Sequence, residues 1–280
     1  MQENVFNALA DLALNASGQS ISISKAYLIE ARLASIARRE GFGSLDDLVH
    51  TLEARQIPVF RAEVAAALLP RDTWFFRERG SLEALVQNRL PERLAASSSG
   101  RIRIWCAGGS TGQEAYSLSM LLDDDTRAGL AGAKVEILST DICKHASEKA
   151  RTGIFGHYEV QRGLSIHRLL KHFTRLESGD WQASEALRTR VSFRPHNLME
   201  PAGGLGKFEI ILCRNVLSGM ARTGKARLAD NLANQLAPGG LIILGEGETI
   251  YGLTERLEPS NDLRTAWVAA GTANAKASAA

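Results

Sequence analysis

The run Ala107-Gly-Gly-Ser-Thr-Gly-Gln-Glu-Ala-Tyr-Ser-Leu118 places glycines between an apolar segment, Ile102 to Cys106, and a stretch of helical character. Such glycines let a strand turn sharply into a helix and bring backbone N–H groups to a ligand cleft. Close strand–helix packing accounts for them equally well. The run lacks the lysine of a phosphate-binding P-loop, and Ala107 holds the first glycine position of G-x-G-x-x-G. Asp141 ends a second apolar run, Val-Glu-Ile-Leu-Ser-Thr-Asp. A carboxylate there accepts both hydroxyls of a ribose and repels a 2′-phosphate; its structural alternative is to cap the helix that follows. Glu114, two residues past Gly112, opposes a pyrophosphate at the helix N-terminus. A cationic nucleoside without phosphate suits these features together. S-adenosylmethionine (SAM) carries a ribose, an ammonium and a sulfonium, and fits them better than NAD.

These residues need a frame to hold them. After residue 100, short apolar runs alternate with helical stretches: RIRIWCA, VEILSTD, FEIILC and LIILG are separated by EAYSLSMLLDDD, KHASEKARTG and RTGKARLADNLANQLA. Nearly continuous apolar strands between helices predict a doubly wound α/β domain around a parallel sheet, with ligands beyond the carboxyl ends of the strands. Residues 1–95 read as helices instead. Ile29, Leu33 and Ile36 form one apolar stripe, Ser44-Leu-Asp-Asp47 resembles a helix start, and helical segments follow over 58–69 and 81–94. The predicted organisation is a helical unit over 1–95, an α/β domain over 96–270 with a small inserted piece at about 152–196, and a disordered tail over 271–280.

Composition sets outer limits. The 280 residues are 45% hydrophobic and 23% charged with a formal charge of +2, which gives no case for general nucleic-acid binding. Three scattered cysteines, Cys106, Cys143 and Cys213, read as buried reduced thiols, and the N-terminal segment has no basic n-region. No apolar run reaches the ~20 residues that span a bilayer. The expectation is a reduced cytoplasmic protein without membrane insertion. No H-E-x-x-H or Cys-x-x-Cys points to a metal, and no G-x-S-x-G to a hydrolase. Lys25, Arg32 and Arg39 form a basic stripe flanked by Arg38, either a solvated face or a docking surface for an acidic helical partner.

Thr73-Trp-Phe-Phe-Arg-Glu78, followed by W-C-A-x-x-S-T-G-x-E-x-Y-S, resembles the CheR family of chemoreceptor glutamate methyltransferases. Further matches keep the family's order: S-T-D-I (139–142), N-L (197–198), C-R-N-V (213–216), P-G-G (238–240) and Glu248. The resemblance spans roughly residues 20 to 268. It implies a Rossmann-like SAM-dependent methyltransferase domain, an all-helical N-terminal domain that docks the receptor, and a small inserted β-subdomain. It assigns cofactor contacts to Thr73, Arg77, Glu114, Asp141, Asn197, Leu198, Asn215 and Val216. Glu114 is expected near the methionyl end and Asp141 on the ribose. Arg77 would orient either the cofactor carboxylate or the incoming glutamate, or form an ion pair with Glu78 or Glu114. The implied reaction methylates glutamates on the cytoplasmic helical domain of a chemoreceptor and leaves S-adenosylhomocysteine (SAH).

Three positions depart from the family pattern. Arg71 replaces an asparagine of the cofactor site, Gly219 a tyrosine at the reaction centre, and Gly245-Glu-Gly-Glu248 a Gly-His/Ser-Ser-Glu segment. Gly219 motivates an alternative: a CheR-like module that binds SAM or SAH with weak turnover. Methylation of a different acceptor is a third reading.

Overall fold

The computed structural model describes residues 1–55, 57–97, 99–125, 134–261 and 263–271, so the expected tail lies, from residue 272, outside the described residues. Four helices open the chain: α1 (Glu3–Ser17), α2 (Ala26–Glu40), α3 (Leu45–Arg55) and α4 (Pro58–Leu68). Local chemistry sets their ends. Gly18 and Gly41 stop α1 and α2 in left-handed conformations, φ 72° and 76°. Ser44 Oγ accepts the Asp47 N–H at 3.1 Å ahead of α3, and Pro58 begins α4. The stripe Ile29, Leu33 and Ile36 is buried against Leu9, Leu48 and Val64 in one core. In the basic stripe, Arg32 is half-buried and Arg39 is exposed in surface ion pairs. Arg32 Nη1 donates to Leu68 O at the end of α4 (2.6 Å), and Arg39 bridges Glu63 (2.7 Å) and Glu40 (2.8 Å). Lys25 and Arg38 are exposed.

The helix expected over 81–94 is α5 (Arg79–Ala84), a π-helical turn (Leu85–Arg89) and α6 (Leu90–Ala96). Phe75, Leu82, Leu85 and Leu90 enter the core of the sheet that follows, whereas Val64 and Leu68 belong to the core of the first four helices.

The chain then runs β1 (Arg101–Ala107), α7 (Gln113–Asp124), β2 (Lys134–Asp141), α8 (Lys144–Thr152), β3 (Ile154–Phe155), α9 (His157–Gln161), α10 (Ile166–His172), β4 (Phe173–Arg175), β5 (Trp181–Ala183), α11 (Glu185–Arg190), β6 (Val191–Pro195), β7 (Phe208–Cys213), α12 (Arg222–Gln235), β8 (Leu236–Leu244), β9 (Leu257–Pro259) and β10 (Ala266–Ala269). Seven strands form the main sheet in the order β6-β2-β1-β7-β8-β10-β9. Strands β6 to β8 are parallel, as their apolar runs predict. Strand β10 is antiparallel to β8 and β9, and among the described residues no helix between β8 and β10 provides the crossover that parallel pairing needs. The P-G-G motif at 238–240 lies within β8. There the register shifts from Phe208 opposite Leu236 to Ile210 opposite Leu241.

The segment 152–196 divides. Its first part forms a small antiparallel sheet, β3-β5-β4, and its last residues form β6 of the main sheet. Phe155 and Phe173 meet Phe75 edge-on at 5.0 and 5.7 Å, which ties the small sheet to the main core. No helix among the described residues is long and apolar enough to cross a membrane. From β1 the chain builds outward to β2 and β6, then returns to β7 on the other side. The carboxyl ends of β1 and β7 therefore flank the topological switch point, where such sheets hold ligands.

Candidate active site

A cleft with about 1040 Å³ of open space lies at that switch point. Thr73, Arg77, Glu114, Asp141, Asn197, Leu198, Asn215 and Val216 all line it, so residues spread over 140 positions of sequence converge on one surface.

The glycine turn forms its β2-side wall. The amides of Gly108 and Gly109 both donate to Thr140 O at 2.9 Å, that of Ser110 to Asp141 Oδ2 at 2.9 Å, and that of Gly112 to Gly109 O at 3.0 Å. These four turn amides are therefore satisfied within the fold. Gly108 is required by a close approach: its φ is +80°, and a Cβ there would lie 2.7 Å from Val216 Cγ2. Asp141 Oδ1 accepts the Cys143 N–H at 2.8 Å. The carboxylate thus caps the turn before α8 while lining the cleft. Burial pushes its pKa up, opposed by the Cys143 and Ser110 amides and by the charge of Arg71. Arg71, the departure from asparagine, donates to Cys143 Sγ at 3.3 Å and accepts from Ser110 Oγ at 3.3 Å through its carbonyl.

The opposite end is built on Arg214, which sequence reasoning quoted in C-R-N-V without giving it a role. Its side chain is 1% exposed, and it holds Glu114 at 2.7 Å and Glu78 at 3.1 Å. It also donates to Arg77 O at 2.5 Å. The available signal was a charge directly after the buried strand β7, since a buried guanidinium requires carboxylate partners. Burial pushes the Glu114 carboxyl above its ordinary range, and Arg214 pulls it back. For Glu78, burial acts upward but is outweighed by hydrogen bonds from Asn215 Nδ2 and the Glu246 N–H and by Arg214, leaving it below the usual range. Glu248 accepts from four backbone amides, those of Asn215 (2.7 Å), Gly245 (2.9 Å), Leu217 (2.7 Å) and Ser218 (3.1 Å). It holds the chain beyond β7 in the path that presents Asn215, φ +59°, to the cleft.

Arg77 pairs with neither Glu78 nor Glu114. Its guanidinium lies 4.3 Å above the Trp74 ring and donates to Asp72 O at 3.0 Å. Arg162 covers the same ring at 4.8 Å and bridges Asp72 at 2.9 Å. Asn197 spends its side chain on structure, donating from Nδ2 to Ala16 O at 2.7 Å and accepting the Met199 N–H at 3.0 Å. No histidine, lysine or cysteine lines the cleft among the described residues. Burial raises the Cys106 and Cys213 thiols well above their ordinary pKa.

The donor set fits SAM: carboxylates at both ends, Leu198 and Val216 between them, and the amides of Gly108, Gly109, Ser110 and Gly112 already satisfied. With the sheet order, this defines a SAM-dependent methyltransferase of Rossmann-like fold. Residues 71–265 match the family described as CheR methyltransferase, SAM binding domain. The chain is 33% identical over 245 residues to chemotaxis protein methyltransferase Cher2 of Pseudomonas putida, covering 87% of this chain and 89% of that protein. It is 34% identical to chemotaxis protein methyltransferase 1 of Pseudomonas aeruginosa, covering 86% of this chain and 88% of that one. A chemotaxis protein methyltransferase of Vibrio parahaemolyticus is also 34% identical, over 84% of this chain and 85% of its own length. The chain belongs to the CheR methyltransferase family.

Proposed function

We propose that this protein transfers the methyl group of SAM to glutamate side chains on the cytoplasmic helical domain of a chemoreceptor, releasing SAH. The observation that carries this reading is a cleft whose glycine-turn amides are internally satisfied while carboxylates remain at both ends. SAM supplies an electrophilic methyl on a sulfonium. Asp141 is assigned to the ribose hydroxyls, Glu114 to the cationic amino-acid end, and Thr73 and Arg77 to the methionyl carboxylate. Leu198 and Val216 supply the apolar wall, with Asn197 and Asn215 fixing the backbone beside them. The helices through α4 are assigned to the receptor, with Lys25, Arg38 and Arg39 among the exposed charges of that face.

A glutamate carboxylate, with an unperturbed pKa of about 4.3, is ionised at neutral pH and is already a nucleophile. Its oxygen bonds to the methyl carbon as the carbon–sulfur bond breaks, and the electron pair stays on sulfur. No proton moves, which agrees with a cleft lined by no histidine, lysine or cysteine among the described residues. The protein's task is alignment and exclusion of water. Transfer of tritium from labelled SAM to a receptor fragment as base-labile methyl ester tests the reading. Asp141→Ala and Arg77→Ala are expected to cut the initial rate at least tenfold; normal transfer by both defeats the site assignment.

A further inference from the structure

The end of α1 forms part of the cleft wall. Past Gly18 the chain runs antiparallel to residues 219–221, with Gln19 paired to Met220. Ser20 N–H donates to Gly219 O and Ala221 N–H to Gly18 O, both at 2.8 Å. The approach leaves no room for a side chain at Gly224, where a Cβ would lie 2.9 Å from Gly18 Cα. Together with the Asn197 bond to Ala16 O, these contacts fix where Gln19 sits.

Gln19 is half-buried and lines the cleft. Its Nε2 donates to Val216 O at 3.0 Å. Its Oε1 lies 2.9 Å from where a Cβ on residue 219 would be, and Gly219 has φ +86°. The left-handed conformation at 219 favours glycine, and a Cβ there would press on the movable end of Gln19. The amide nitrogen carries two hydrogens, and the bond to Val216 O uses one.

We propose that Gln19 orients the acceptor carboxylate, its second amide hydrogen donating to a carboxylate oxygen beside Val216. The inference rests on the methyl-transfer reading above. The reaction turns a carboxylate and a sulfonium into two neutral groups, so a cation holding the acceptor would stabilise reactants more than the transition state. A neutral amide aligns the carboxylate while holding its charge less tightly than a cation would. The donor also comes from the helical N-terminal unit, which couples acceptor alignment to that unit's contact with the sheet domain.

The test uses the full chain, a receptor fragment and labelled SAM, with SAH affinity measured by calorimetry. Gln19→Met keeps the length and removes the donor. It is expected to lower kcat/KM for the receptor about tenfold, the worth of one hydrogen bond, with SAH affinity unchanged within twofold. Gln19→Glu sets a carboxylate against the acceptor, and its deficit should shrink as pH falls from 8 to 5. Unchanged transfer in Gln19→Met overturns the assignment. A parallel loss of SAH affinity also overturns it, because Gln19 then only shapes the cleft. Should Gln19→Met not fold, the Gln19→Glu profile decides, and a profile parallel to that of the unsubstituted chain overturns the proposal. No transfer by the unsubstituted chain to any receptor fragment defeats the methyl-transfer reading itself, and the Gln19 assignment with it.

Discussion

The carboxylates around the cleft are held in two ways. Asp141 and Glu248 rest on backbone amides, two and four of them respectively. Glu78 and Glu114 share one guanidinium, that of Arg214. An amide-held carboxylate is fixed by the path of the chain and in turn fixes that path. Arg214 bridges that pair of like charges, which are 12% and 15% exposed, while Glu78 also accepts from Asn215 Nδ2 and the Glu246 N–H. The Asp141 end is therefore a rigid socket, whereas the Glu114 end is a charge balance that one substitution upsets.

Arg214→Met should show the largest effect. It leaves the Glu114 carboxylate without its ion pair and takes the cationic partner from Glu78, and breaking such a cluster costs about 3–5 kcal/mol, read as a fall in the urea midpoint. The loss should be greater at pH 8 than at pH 5. Without Arg214 the Glu114 carboxyl rises further above its ordinary range, so stability falls as pH rises through that range. A loss independent of pH would show that the arginine acts by packing alone.

Glu248→Gln should cost less, about 2 kcal/mol, because an amide cannot accept all four N–H bonds. Its penalty should be nearly insensitive to salt, and a strongly salt-dependent penalty would erase the contrast with Arg214.

The smallest effect is expected at Asp124, which binds Arg168 (2.9 Å), Lys171 (2.6 Å) and His172 (3.1 Å) where α7 meets α10. Burial acts upward on Asp124, but these partners outweigh it and lower the carboxyl from 3.8 to about 2. A depressed acid stabilises the fold above its unfolded pKa, and that stability is lost as pH falls from about 4 to about 2. Asp124→Asn should therefore cost about 1 kcal/mol at pH 7, allowing for solvent screening, and less in high salt or at pH 3. Urea unfolding at the two pH values checks it.

Much of this architecture was legible because its signals are local. Four strands announce themselves as apolar runs, and all eight candidate cofactor residues meet in one cleft. Strand β6 was missed because VSFRP alternates buried and exposed positions at the edge of the sheet, unlike the continuous runs beside it. Strands β3, β4 and β5 are two or three residues long, too short for periodicity to register. The role of Arg214 was illegible for another reason. Its partners Glu78 and Glu114 lie 136 and 100 positions away, and no spacing rule joins them. The same holds for Gln19, whose meaning depends on the glycine 200 positions later that lies against it.

Trp74 lies between two guanidinium groups, one from the loop before α5 and one from the segment between α9 and α10, and it borders the cleft. An indole's emission responds to the electric field across its ring, so any shift of Arg77 on ligand entry alters that emission. Trp105 and Trp267 are buried in the core on one face of the sheet, so their emission changes little when the cleft fills. The protein thus carries its own optical gauge of occupancy, one that reads the cleft without a label and independently of whether a methyl group is ever passed on.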